Sequence, residues 1–89
     1  MKIKELYTDE SKWTQGFSER TITGSPVFET SDIAVCWCLM GALYKCYRHN
    51  PLEEGRVKSI LHDKLDSITH FNDTHTFQEV KQLVEELDI

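Results

Sequence analysis

The apolar positions divide the chain into four stretches of different grain. Residues 1–14 are polar, with Ile3, Leu6, Tyr7 and Trp13 as apolar anchors, a spacing that fits either a short helix or a short strand. In residues 15–30, Phe17 and Ile22 precede Gly24-Ser25-Pro26, and Val27-Phe28 follow. Thr21, Ile22, Thr23, Val27 and Phe28 favour extended backbone, so the glycine–proline cluster between them predicts a small hairpin or an extended arm. Ile33, Val35, Cys36, Trp37, Leu39, Met40, Leu43, Cys46 and Tyr47 then leave no wide polar face. Ser31-Asp32 offers an N-cap ahead of them, and Asn50-Pro51 a stop behind. The reading is a central, enclosed helix over residues 32–48.

Two further helices follow. Pro51 suits a first helical turn, and Val57, Ile60, Leu61, Leu65 and Ile68 form one helical stripe, although Gly55 moves the firm start towards Arg56. Residues 69–76, THFNDTHT, read as a polar loop. Thr76 and Glu79 then make a capping box for a last helix that buries Phe77, Val80, Leu83, Val84 and Leu87. Lys81, Gln82, Glu85 and Glu86 face water on it. The predicted fold is α+β and mostly helical: about three helices around the central one, with the hairpin or arm ahead of it. At 89 residues, with no linker or repeat, the chain reads as a single domain, 1–89.

Composition narrows the function classes. Hydrophobic residues make up 39%, enough for one modest core. Charged residues make up 28%, which argues against wholesale disorder. No apolar run approaches the ~20 residues of a membrane span, so no membrane partner is expected. MKIKELYTDESKW has no apolar signal core, and a cytoplasmic location is the expectation. The formal net charge of -5 is the wrong sign for a general nucleic-acid binder, and the basic residues form no stripe. An odd count of three cysteines fits free thiols better than a disulfide framework.

Cys36 and Cys38 raise the question of a metal or thiol site. On the predicted helix, residues two apart point roughly 200° from each other, so the two thiols cannot share a metal. Cys46 lies more than two turns further on. The expectation is therefore no metal, no cofactor and a structural core of Cys36, Trp37, Cys38, Leu39, Gly41, Ala42 and Leu43. Glycine costs roughly 1 kcal/mol in a helix interior relative to alanine, which points to a close approach of another element at Gly41.

Trp13-Thr14-Gln15-Gly16, then Ala34-Val35-Cys36-Trp37-Cys38-Leu39 with Gly41-Ala42-Leu43, then Asn72-Asp73, then Thr76 with Glu79-Val80, resemble a family of small bacterial and phage proteins of unknown function. Phe71 stands where that family often has tryptophan. The resemblance spans roughly residues 13–87 and implies no activity. It implies that Trp13, Gln15, Gly16, Cys36, Cys38, Gly41, Asn72 and Asp73 form one spatial set. Asn72, Asp73 and Gln15 can serve backbone satisfaction there, or line a polar pocket beside Trp13 and Trp37. His70 and His75 flank Asn72-Asp73 and could do acid–base work with Asp73. No nucleophile elbow, phosphate loop or metalloprotease signature is present.

Three functions follow. The preferred one is a non-catalytic small binding protein, phage- or mobile-element-associated, that holds a protein partner, for instance as an inhibitor of a host defence system. The second is a small-molecule or nucleotide binder. The third is a small enzyme using His70, Asp73 and His75. A second copy of the chain is a further partner, since dimerisation would add buried area to so small a core.

Overall fold

A computed structural model describes residues 1–27 and 33–89. The fold is α+β, as the pattern predicts. Its helices are α1 (Ile3–Leu6), α2 (Leu39–Tyr47), α3 (Pro51–Lys64), α4 (Ile68–Thr74) and α5 (Phe77–Glu86), with a 3-10 turn at Glu10–Lys12. Three two-residue strands, β1 (Glu19–Arg20), β2 (Pro26–Val27) and β3 (Cys36–Trp37), form an antiparallel sheet in the order β2-β1-β3.

The predicted hairpin is present, but its strands sit nearer its base than the β-favouring residues suggest. Glu19 pairs with Val27 and Arg20 with Pro26, while Thr21, Ile22 and Thr23 belong to the turn. Thr21 N–H donates to the Ser25 carbonyl at 2.9 Å, and Gly24 N–H returns to the Thr21 carbonyl. Gly24 takes φ +85°, a conformation that glycine adopts without strain. The expected N-cap Ser31-Asp32, and Phe28, lie outside the described residues.

The central helix is shorter than predicted. Cys36 and Trp37 are strand, because β1 offers them a ladder: Arg20 pairs with Cys36 and Glu19 with Trp37. Val35 N–H donates to the Arg20 carbonyl and Cys38 N–H to the Ser18 carbonyl, at 2.8 and 3.0 Å. An apolar run with β-branched and aromatic residues suits either backbone state, and the waiting strand decides. Helix α2 begins only at Leu39.

That helix remains the middle of the fold, in contact with α1, α3, α4 and β3. Its Leu39, Ala42 and Leu43 are fully buried, together with Ile3, Tyr7, Val57, Leu61, Val80, Val84 and Ile89. Gly41 is buried as well. Helix α3 starts at Pro51 after all, capped by the Asn50 side chain, which accepts from Glu53 N–H. Helix α5 carries the predicted capping box: Thr76 Oγ1 accepts from Glu79 N–H at 3.2 Å, and Glu79 Oε1 from Thr76 N–H at 3.0 Å.

Residues 69–76 are the second departure. They are mostly helix α4 rather than a polar loop. Ser67 caps it, its Oγ accepting from His70 N–H at 3.2 Å, and Ile68 is buried below. Thr74 Oγ1 donates to the His70 carbonyl at 2.7 Å and secures the last turn. Seven residues are too few for the apolar period to stand out, so tertiary packing supplies what propensity does not. Among the described residues no helix is long and apolar enough to cross a membrane.

Candidate functional site

The residues singled out in the sequence meet where the chain segment Trp13 to Gly16 crosses α4. Asn72 is the centre of this meeting and is completely buried. Its Oδ1 accepts from the Trp13 indole N–H at 2.6 Å and from Leu39 N–H at 2.9 Å. Its Nδ2 donates to the Thr14 carbonyl at 3.0 Å and to Asp73 Oδ1 at 3.1 Å. A carboxamide has two acceptor sites and two N–H donors, so every one is used.

Leu39 is the first residue of α2, whose leading N–H groups have no partner inside the helix. Asn72 therefore caps α2 from another helix. Cys38 adds a second cap, its Sγ accepting from Gly41 N–H at 3.4 Å, although thioether and thiol sulfur are weak acceptors. The backbone that Asn72 satisfies is therefore the start of α2 and the Thr14 carbonyl.

Gln15 and Gly16 complete the join. Gln15 Nε2 donates to the carbonyls of Asn72 and His75, at 3.0 and 3.1 Å, and so satisfies the C-terminal end of α4. Gly16 N–H donates to Asp73 Oδ1 at 3.0 Å. On the strand side, Trp37 O accepts from Thr14 N–H at 3.3 Å and from the buried Tyr7 hydroxyl at 3.0 Å. Trp13, Gln15, Gly16, Asn72 and Asp73 are thus one hydrogen-bonded set, with Cys38 and Gly41 next to it at the start of α2.

The histidine side chains do not share that set, which His75 joins only through its carbonyl. His70 is exposed on α4. His75 stacks on Phe71, ring centroids 3.9 Å apart, with its Nδ1 2.8 Å from the Phe71 carbonyl. Trp13 packs on Phe77, at 6.0 Å between centroids. A cavity of about 110 Å³ opens beside Gly16, Phe17, Ser18, Cys38, Thr69 and Asp73. At roughly 30 Å³ per water it has room for a few waters, well below the ~300 Å³ at which ligand pockets begin.

The cysteine geometry needs correcting. The backbone is extended at Cys38 and strand at Cys36, so these residues are not on opposite sides of a helix. They are separated by their partners instead: the Cys36 thiol lies 4.0 Å from the Arg20 carbonyl, and Cys38 faces Gly41. Cys46, half-buried on α2, has its thiol pushed up to about 11 by burial, so it stays protonated and unreactive at neutral pH. Among the described residues no group of three His, Cys, Asp or Glu side chains could hold a metal ion. Zinc chelators are expected to leave the melting temperature unchanged, whereas Cys38→Ala lowers it; unfolding on chelation would show a structural metal.

Two residues escaped the sequence reading. Arg20 ties the segment to the hairpin: Nε donates to Thr14 Oγ1 and Nη1 to the Gly24 carbonyl, both at 2.8 Å, and the guanidinium lies 4.7 Å from the Phe17 ring centroid. Glu19 is a carboxylate with 1% exposure. Nothing in the alternation around them marks either as interior, since a two-residue strand has no period to read.

Comparison with family models, with curated proteins and with solved structures finds no match. The fold and site define a small α+β protein whose central polar cluster joins three segments of chain: residues 13–16, the start of α2, and α4.

Proposed function

We propose that this chain is a non-catalytic binding protein that acts by holding a protein partner. One observation carries the reading: Asn72, the buried centre of the polar cluster, spends all its hydrogen bonds internally, while the acidic face of α5 keeps its charge available. Asn72 has no donor or acceptor left over, and Asp73 Oδ1 already accepts twice. A catalytic or ligand-reading group needs capacity to spare for its substrate.

The charges on the surface differ in how far they are matched. On α3, Glu53 is clasped by Arg56, whose Nε lies 3.1 Å from both carboxylate oxygens. Asp88 is paired with Lys2 and Lys4, and these neighbours hold its carboxyl down at about 2. On α5, Lys81 turns its ammonium to the Lys4 carbonyl. Among the described residues no ion pair engages Glu79, Glu85 or Glu86. Unmatched charge on a rigid helix favours association with a surface of opposite sign. A phage or mobile-element setting belongs to this reading through the motif resemblance, and a component of host defence is a partner suited to that setting.

The test is co-purification of the full chain from host extract, followed by reconstitution with the recovered protein. A stoichiometric complex in light scattering that weakens as salt rises is expected. A retained small molecule in native mass spectrometry, with no protein, would overturn the reading in favour of a ligand binder.

A further inference from the structure

We infer that the groove between α4 and α5 receives a basic amphipathic helix, with two cationic side chains about two helical turns apart. This rests on the protein-binding reading above and gives it a place and a partner chemistry.

The groove has a volume of about 280 Å³ and is lined by Phe71, His75, Glu79, Gln82, Leu83 and Glu86. Its residues from α5 follow one stripe, at i, i+3, i+4 and i+7 from Glu79. The two carboxylates stand at the ends of that stripe. With 1.5 Å of rise per residue they are separated by about 10.5 Å along the axis. Leu83 lies between them as an apolar contact, half-buried against the core.

The other wall is a preformed aromatic plate. Phe71 and His75 are stacked with 28° between their planes, and the bond from His75 Nδ1 to the Phe71 carbonyl fixes the second ring on the first. Guanidinium groups stack on aromatic faces and pair with carboxylates in the same plane. The acidic ends, the apolar middle and the aromatic wall together describe their complement: arginine, an apolar residue, arginine. On a partner helix this is Arg at i and i+7 with Leu at i+4, the helix-in-groove mode of recognition.

Both glutamates can respond to such a guest without refolding. Glu79 uses Oε1 in the capping box with Thr76, and Glu86 uses Oε1 to accept from Gln82 at 3.0 Å. Each retains its second oxygen. Charge complementarity selects the occupant, since the chain as a whole carries -5 and this groove holds two carboxylates that form no ion pair among the described residues.

The experiment titrates two synthetic helical peptides of equal composition into the isotope-labelled full chain and follows amide shifts by NMR. One carries Arg, Leu and Arg at i, i+4 and i+7; in the other the same residues are scrambled around the helix. Shifts centred on Phe71, His75, Gln82 and Leu83 are expected, with the scrambled peptide at least tenfold weaker. Glu79→Gln with Glu86→Gln is expected to weaken binding at least tenfold and to leave the remaining spectrum in place, because glutamine serves the capping box as well. The same change at Glu53 and Glu54 is expected to have no effect. Equal binding of both peptides overturns the groove. So does a loss that follows Glu53 and Glu54 instead, in which case protein binding through an acidic face survives. Failure of the peptides alongside a reconstituted complex with the natural partner also removes the groove alone; failure of both removes the two readings together.

Discussion

Asn72→Ala is expected to destabilise the protein by about 3–5 kcal/mol, measured by urea titration. The number follows from what the carboxamide holds. Its removal strands the Leu39 N–H and the Trp13 indole N–H on one side and the Thr14 carbonyl on the other, at a site with no exposure. An orphaned buried polar group costs about 1–3 kcal/mol, and water entering the space left behind offsets part of the sum. Domains of this size have roughly 5–10 kcal/mol in total, so the variant would lose about a third or more of its stability. Asn72→Asp is a sharper probe. The carboxylate still accepts from Trp13 and Leu39, but its second oxygen then faces the Thr14 carbonyl and the Asp73 carboxylate. It should lose at least as much as alanine at neutral pH and recover part of it in acid, where one of the two carboxyls takes up a proton. A change below 1 kcal/mol in Asn72→Ala would show that the cluster is not a structural join.

This prediction also separates the functional readings. A ligand site tolerates loss of its polar residue with the fold intact, as stability and binding are then carried by different groups. Asn72 instead bridges elements distant in sequence, residues 13–16, Leu39 and its own helix, so its loss should be felt at all three. Hydrogen exchange at Leu39, Gly41 and Thr14 should rise together in the variant.

What the sequence made legible follows the length of each element. Helix α5, with ten residues and a capping box, is present as read, and of its predicted stripe Phe77, Val80 and Val84 are buried while Leu83 and Leu87 are half-buried. Helix α4 was missed because its seven residues carry only Ile68 and Phe71 as apolar signals, within a string rich in turn-forming residues. Cys36-Trp37 was read as helix because the apolar run is continuous, and a buried strand and a buried helix look alike at that length. The ladder with β1 is a long-range fact that no local pattern contains. The site shows the same division. Of the eight residues the motifs grouped, Trp13, Gln15, Gly16, Asn72 and Asp73 share hydrogen bonds and Cys38 and Gly41 lie beside them, while the Cys36 thiol faces the Arg20 carbonyl; the direction of the bonds was not legible. That Asn72 caps α2 depends on how helices pack, and Arg20 became visible as a tie only once Thr14 and Gly24 were placed beside it.

Gly41→Ala is expected to cost about 2–3 kcal/mol and to lower the melting temperature by ~10–20 °C, at roughly 4–8 °C per kcal/mol for a domain of this size. Helix propensity alone predicts the opposite, since alanine gains up to about 1 kcal/mol over glycine in a helix interior. Packing decides the sign. A Cβ on Gly41 would lie 2.9 Å from the Ser18 carbonyl carbon and closer still to its oxygen. The obstacle is backbone, and that same oxygen accepts from Cys38 N–H, so it cannot swing aside without breaking the link between the hairpin and the start of α2. Overpacking of this kind costs about 1–3 kcal/mol and sometimes more. Gly55 provides the control inside the same protein. It sits on the exposed face of α3, and nothing lies within 4 Å of a Cβ built there. Gly55→Ala should therefore stabilise by roughly 0.5–1 kcal/mol. The two substitutions are chemically identical and should move the melting temperature in opposite directions. If both raise it, Ser18 does not pass against α2 at Gly41, and the glycine in the central helix is left without a reason.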